Sequence, residues 1–174
     1  MTREELAIGI YKTAHLTGEF LLRSGVISHE YFDKYLFESD PELLVNIAAQ
    51  LEAKLPEGFD LLGGLEMGGI PIATALSMKT NKAACFVRKE AKKYGTCKFA
   101  EGPEIKNKKI LVVEDVVTSG GQIVLSVNDL RAQGAEITHA VCVIDREAGG
   151  ADNLKKIGVE LIPLFTMSEI KALV

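Results

Sequence analysis

The chain has 174 residues, is 47% hydrophobic and 25% charged, and carries a formal net charge of −4. These values fit one folded domain with a full core and exclude disordered and fibrous classes, and the acidic balance gives no reason to expect nucleic acid as a partner. Apolar runs such as ILVV and AVCVI are strand-sized, far short of the roughly 20 residues of a membrane span.

The N-terminal stretch MTREELAIGIYK has no basic flank ahead of an apolar core, so it predicts no export signal and a cytoplasmic address. Thr2 and Glu5 have capping-box spacing and open a helix running to about His15. FLLRSGVISHEYFDKYLF mixes aromatic and β-branched residues around Ser24 and Gly25, which predicts two short strands and a turn. Asp40, Pro41 and Glu42 start a second helix, LLVNIAAQLEAKL continues it at helical spacing, and Pro56 and Gly58 end it.

Strand and helix patterns then alternate. FDLLGGL, AACFVRK, KKILVVED, EITHAVCVIDRE and VELIPLF read as strands; IPIATALSM, GQIVLSVNDLRAQG (closed by Gly134) and the turn NLKKIG read as helical. Such alternation predicts an α/β fold, a mostly parallel twisted sheet flanked by helices, with residues 1–174 as a single domain carrying a small N-terminal appendage. Cys85, Cys97 and Cys142 are odd in number and form no C-x-x-C, which predicts reduced thiols, two of them in core strands. His15, His29 and His139 share no motif and are expected to be structural. Residues 87–109 hold eight Lys/Arg against three Glu, a local charge of +5 that leaves −9 for the rest. A basic segment on an acidic body steers a small polyanion toward one spot.

In a parallel sheet flanked by helices, ligands bind beyond the carboxyl ends of the strands. Four segments lie there: GLEMGG, RKEAKKYG, EDVVTSGG and DREAGG. In ILVVEDVVTSGGQ (110–122), the glycines let several free amides at a helix start converge on one phosphate. Glu114 and Asp115, just upstream, would repel that phosphate if they lay in the cradle. They must serve another part of the same ligand, and a ribose diol with Mg²⁺ fits what carboxylates accept.

That 13-residue stretch resembles the phosphoribosyl diphosphate (PRPP) signature of type I phosphoribosyltransferases. The resemblance implies that fold, with Glu114 and Asp115 on the ribose hydroxyls and Val116, Val117, Thr118, Ser119, Gly120, Gly121 and Gln122 around the 5′-phosphate. Mg²⁺ would be carried by PRPP near the two acids, with no direct protein ligand. VRKEAKKYGT is similar to the Arg-Lys-x-x-Lys loop of orotate phosphoribosyltransferases. It implies a homodimer whose loop 88–102 is shared across the interface, with Arg88, Lys89, Lys92 and Tyr94 at the diphosphate. Lys92 and Asp115 would be the catalytic pair, and Gly95 and Gly102 the hinges. Cations on a closing loop stabilise the charge that develops on the leaving diphosphate and exclude water. Tyr94 stands where the family's loop usually has histidine; a phenol donates one hydrogen bond but no positive charge.

GGLEMGGIPIA resembles the family's diphosphate loop, with Gly68 and Gly69 giving close backbone approach, although many members have lysine where Gly68 stands. FLLRSGVISHEYFDKY is similar to the family's N-terminal hood, here mainly 17–38, in which Arg23 reaches the diphosphate and Tyr31 and Phe32 cover the base. Val26, Ile27 and His29 depart from its usual pattern. Arg146 matches the arginine that meets the orotate carboxylate, a planar fork on a planar anion, and Thr118 adjoins the base. The implied substrates are PRPP and orotate, with neither nucleic acid nor membrane. Transfer to a different nucleobase, or a PRPP-sensing regulatory role, stays open on the sequence.

Overall fold

The capping box forms as the sequence predicts: in α1 (Arg3–Ala14), Thr2 Oγ1 accepts from Glu5 N at 3.1 Å and Glu5 Oε2 accepts from Thr2 N at 2.7 Å. In this computed structural model, which describes residues 1–21, 25–91 and 98–174, α1 leads directly into β1 (His15–Leu21), which pairs antiparallel with β2 (Ile27–Phe32). These are the expected two strands, with the first starting earlier, at the helix end. Next comes a helix the sequence analysis lacks, α2 (Lys34–Glu38), capped by Asp33, whose Oδ1 accepts from Tyr35 N at 3.1 Å. Phe37 on α2 is fully buried, worth about 1.5–3 kcal/mol relative to exposure, and pins this short helix to the core. Asp40 then caps α3 (Pro41–Glu52) through two amides, with Pro41 in its first turn, where its missing N–H is harmless.

The remaining elements are β3 (Leu61–Leu65), α4 (Gly69–Thr80), β4 (Ala84–Val87), β5 (Ala100–Glu101), β6 (Ile110–Val117), α5 (Gly121–Ala132), β7 (His139–Asp145), α6 (Gly150–Lys156), β8 (Glu160–Thr166) and α7 (Met167–Lys171). Six strands form one sheet in the order β5-β4-β3-β6-β7-β8, all parallel except the two-residue edge strand β5. Neither β5 nor α7 is in the sequence-based prediction. One buried cluster joins Leu6, Ile10, Ile47, Leu51, Ile72 and Leu76 to one face of the sheet; another joins Ile123, Val127, Leu130 and Leu154 to the opposite face. Cys85 and Cys142 are buried free thiols in β4 and β7, as expected, while Cys97 lies outside the described residues.

The chain leaves β3 for β4 on one side and later places β6 on the other, so the strand order reverses between β3 and β6. This is the crevice where parallel α/β sheets accept ligands. Gly69 brings α4 against β6 there, so closely that a Cβ would overlap the carbonyl oxygen of Val113. Gly121, by contrast, has a non-positive φ and room for a methyl, its nearest neighbour being Ser119 Oγ at 3.8 Å. Gly69→Ala should lower the unfolding free energy by about 1–3 kcal/mol, as overpacking does, whereas Gly121→Ala should stay within about 0.5 kcal/mol of the parent; urea midpoints of the two variants check this.

Candidate active site

Helix starts divide into two groups. Those of α1, α2, α3 and α7 are closed by side chains of Thr2, Asp33, Asp40 and Thr166. Those of α4, α5 and α6 have Gly68, Gly120 and Gly149 at the cap position and no side-chain cap bond. All three of the latter follow the carboxyl ends of parallel strands β3, β6 and β7. A helix start without a cap presents unpaired N–H groups and the positive end of its dipole, a ready anion site. At α5, Gly120 adopts a left-handed φ of 73° that a side chain would strain. A cleft of about 170 Å³ there is lined by Glu114 and residues 116–123, so the predicted phosphate loop and one acid share one wall.

The second acid lies elsewhere. Asp115 is fully buried, and a Cβ on Gly68 would overlap its carboxylate and come within 2.9 Å of Glu38 Oε1. Lys34 Nζ sits 2.6 Å from Asp115 Oδ2. The backbone amide of Val116 donates to Asp115 Oδ1, and that of Asp115 donates to Glu114 Oε1 at 2.9 Å. Three carboxyl groups and one ammonium thus meet at the β3–β6 crevice. Burial, followed by the nearby Asp115 carboxylate, pushes Glu38 up to about 9. Burial and Asp115 also push Glu114 well above the ordinary carboxylate range. Burial opposes charge on Asp115 as well, but hydrogen bonding to Glu114 and Glu38 and the Lys34 ammonium outweigh it and hold its carboxyl low. For Lys34, burial works against the charge and Asp115 overcomes it, raising its affinity for a proton.

Arg88 and Lys89 follow β4 at the sheet edge. Arg88 Nε lies 3.2 Å from Glu101 Oε1, and Lys89 N donates to Glu66 Oε2 at 3.0 Å, tying the start of the basic loop to the turn before Gly68. The peptide between Glu66 and Met67 in that turn is cis. Lys92, Tyr94 and Gly95, with Arg23 and Ser24, lie outside the described residues. On the hood side, a cavity of about 270 Å³ is lined by Tyr31, Phe32, Ser28, His15 and Arg146 among others, so three of the four residues expected at the base converge. Tyr31 stacks on Phe20, with ring centroids 5.4 Å apart. Phe32 leans against Tyr11 and Phe37 and doubles as core. Arg146 N donates to Val117 O at 2.8 Å, which sets the loop after β7 beside the phosphate loop. Thr118, expected at both ligands, lines the phosphate cleft and not this cavity.

Lys34 and Glu38 escaped the sequence analysis. Their available signal is the i, i+4 spacing behind an Asp cap, which puts both on one face of a helical turn.

A family model described as phosphoribosyl transferase domain matches residues 42–167. The orotate phosphoribosyltransferase of a Nocardioides species is 50% identical over 167 residues, 96% of this chain and 93% of its own length. That of Pyrococcus horikoshii is 40% identical over 88% of this chain and 84% of its own. The crystal structure of orotate phosphoribosyltransferase from Mycobacterium tuberculosis superposes with a TM-score of 0.87 at 27% identity, covering 97% of this chain and 98% of that one. The hood, the reversal of strand order between β3 and β6, and the three glycine-capped helix starts are thus parts of a type I phosphoribosyltransferase fold, and the chain belongs to the orotate phosphoribosyltransferase family.

Proposed function

We propose that this protein transfers the 5-phosphoribosyl group of PRPP to N1 of orotate, giving orotidine 5′-monophosphate and diphosphate. The observation that carries the reading is the set of three uncapped, glycine-started helices after the carboxyl ends of β3, β6 and β7, with Glu114 in the cleft at α5 and Asp115 buried beside Gly68. Only a ligand with separate anionic groups around a hydroxyl-bearing centre uses all of these features together.

The amides at Gly120 to Gln122 hold the 5′-phosphate, with Val116, Val117, Thr118 and Ser119 shaping its cleft. Amides at Gly68 and Gly69 approach the diphosphate without a side chain in the way, and Arg23, Arg88, Lys89 and Tyr94 add donors. Glu114 and Asp115 accept from the ribose hydroxyls. In the reaction the anomeric C1–O bond breaks, diphosphate leaves with the electron pair, and N1 of the orotate anion forms the new bond from the opposite face. Lys92 stabilises the charge that grows on the leaving oxygens. Tyr31 and Phe32 cover the pyrimidine, and Arg146 pairs with the orotate carboxylate, which separates orotate from uracil.

Among the described residues, no three His, Cys, Asp or Glu side chains gather as a metal cage. Mg²⁺ would be carried by PRPP near Glu114 and Asp115, without a direct protein ligand, as hard cations prefer phosphate and water oxygens. Such a Mg²⁺ would neutralise part of the diphosphate charge. No helix among the described residues is long and apolar enough to cross a membrane. A homodimer sharing loop 88–102 follows from the family resemblance, and β5 within that segment lies at the sheet edge.

The test of the reaction is a panel of orotate, uracil, hypoxanthine and adenine with PRPP and Mg²⁺. Turnover is expected with orotate alone, and Arg146→Ala should lower kcat/KM for orotate about 10- to 100-fold, the worth of a charge-assisted pair. Turnover of a different base would reassign the acceptor, and PRPP binding without turnover of any base would favour a sensor. Lys92→Ala should lower kcat by at least about 100-fold, the usual effect of losing a transition-state donor, with an unchanged circular dichroism spectrum; a fully active variant removes Lys92 from the catalytic step.

The buried carboxyls also set a pH dependence of stability. Glu38 holds its proton up to about 9 when folded but releases it in the ordinary carboxylate range when unfolded. Between those limits the folded state binds more protons, so stability falls as pH rises. Asp115 has the opposite sign, stabilising above the carboxylate range and losing that contribution as pH falls through its lowered value. Glu38→Gln, neutral at every pH, should therefore flatten the fall in melting temperature toward about pH 9 and melt higher than the parent there; an unchanged slope would show that Glu38 ionises like an exposed carboxylate.

A further inference from the structure

The turn entering α4 faces the place where the diphosphate would sit, yet residues 66–69 read Glu-Met-Gly-Gly and contain an acid and no cation. Position 68 has no space for a side chain, since a Cβ would overlap the Asp115 carboxylate. The amides there are useful donors, but a diphosphate next to an ionised Asp115 needs positive charge to offset the repulsion. One ammonium is already at that spot. Lys34 arrives from the opposite wall, on the first turn of α2, and its Nζ lies 2.6 Å from Asp115 Oδ2. Its side chain retains 33% exposure, whereas Asp115 has none. The lysine is therefore held against the buried carboxylate while part of its side chain stays exposed. Lysine carries three donors on a flexible stem, so one N–H can stay on Asp115 while others reach outward. Phe37, fully buried on the same short helix, and the Asp33 cap fix the base of that stem.

We propose that Lys34 is a diphosphate-binding residue of this protein, bridging Asp115 Oδ2 and the diphosphate of PRPP and supplying from the hood the cation that position 68 cannot carry. This rests on the phosphoribosyl-transfer reading above. The bridge couples the two halves of the ligand. The same ammonium that keeps Asp115 charged for the ribose holds the leaving group, so Lys34 distinguishes PRPP from a sugar phosphate without a diphosphate.

Calorimetric titration of the parent, Lys34→Met and Lys34→Arg with PRPP plus Mg²⁺, and separately with ribose 5-phosphate, tests this. Lys34→Met should weaken PRPP binding about 10- to 100-fold, as loss of a charge-assisted hydrogen bond does, and ribose 5-phosphate binding by a clearly smaller factor, that of the weakened Asp115 contact alone. Lys34→Arg should recover most of the PRPP affinity. An equal loss for both ligands would make Lys34 a mere support for Asp115 and overturn the proposal, as would no loss for either. If Lys34→Met does not fold, the parent protein still decides: inorganic diphosphate with Mg²⁺ should protect Lys34 from acetylation, read by peptide mass spectrometry, and undiminished labelling overturns the assignment. A parent that binds no PRPP at all sinks the phosphoribosyl reading itself, whereas a parent that turns over orotate alongside a fully competent Lys34→Met sinks only this inference.

Discussion

The contact between Lys34 and Asp115, pressed against Gly68, is the constraint around which the crevice is built. Asp115 ends up fully buried because α4 starts with two glycines, which let its first turn lie against the end of β6. A buried carboxylate without a partner is too costly to stay charged. The ammonium 2.6 Å away keeps it ionised. Burial and that charge push Glu38 and Glu114 in the opposite direction, Glu38 up to about 9.

The same economy of donors runs through the helix starts. Where a helix only supports the core, a threonine or aspartate closes its first turn; such a cap is worth about 1 kcal/mol. At α4, α5 and α6 that stabilisation is absent, and glycine leaves the amides open. That stabilisation is absent at the carboxyl end of the sheet and retained elsewhere. The separation follows the polarity of parallel strands, because every crossover helix following β3, β6 or β7 begins at their carboxyl ends.

Much of this was legible in the sequence because its signals are local. The ILVV run followed by two acids and Thr-Ser-Gly-Gly reports a buried strand feeding a glycine-started helix without tertiary knowledge. Strand and helix alternation after residue 58 specifies parallel pairing, and Thr2 with Glu5 specifies the first helix. What stayed hidden has two physical causes. Elements α2 and β5 have five and two residues, too short for periodicity to register. Helix α7 did carry a capping box, Thr166 with Glu169, but it abuts the apolar run of β8 and was masked by it. The unequal fates of Glu114 and Asp115 depend on Gly68 and Lys34, distant in sequence, and no local pattern encodes which of two adjacent acids will be buried.

The hood is more than a cover laid on the sheet, because both chain ends anchor it. Arg3 on α1 lies 4.3 Å above the ring of Phe165 on β8 and pairs with Glu169 on α7. Leu6 and Ile10 of α1 join Phe37 of α2 in the core cluster on one face of the sheet, and Ile170 of α7 belongs to it too. Lys34, Tyr31 and Phe32 therefore stand on elements whose positions are set by packing against the same sheet that carries Asp115 and Arg146. A buried ion pair contributes little net stability compared with apolar packing of equal volume, so the Lys34–Asp115 contact is not what holds the hood in place. The apolar anchors do that.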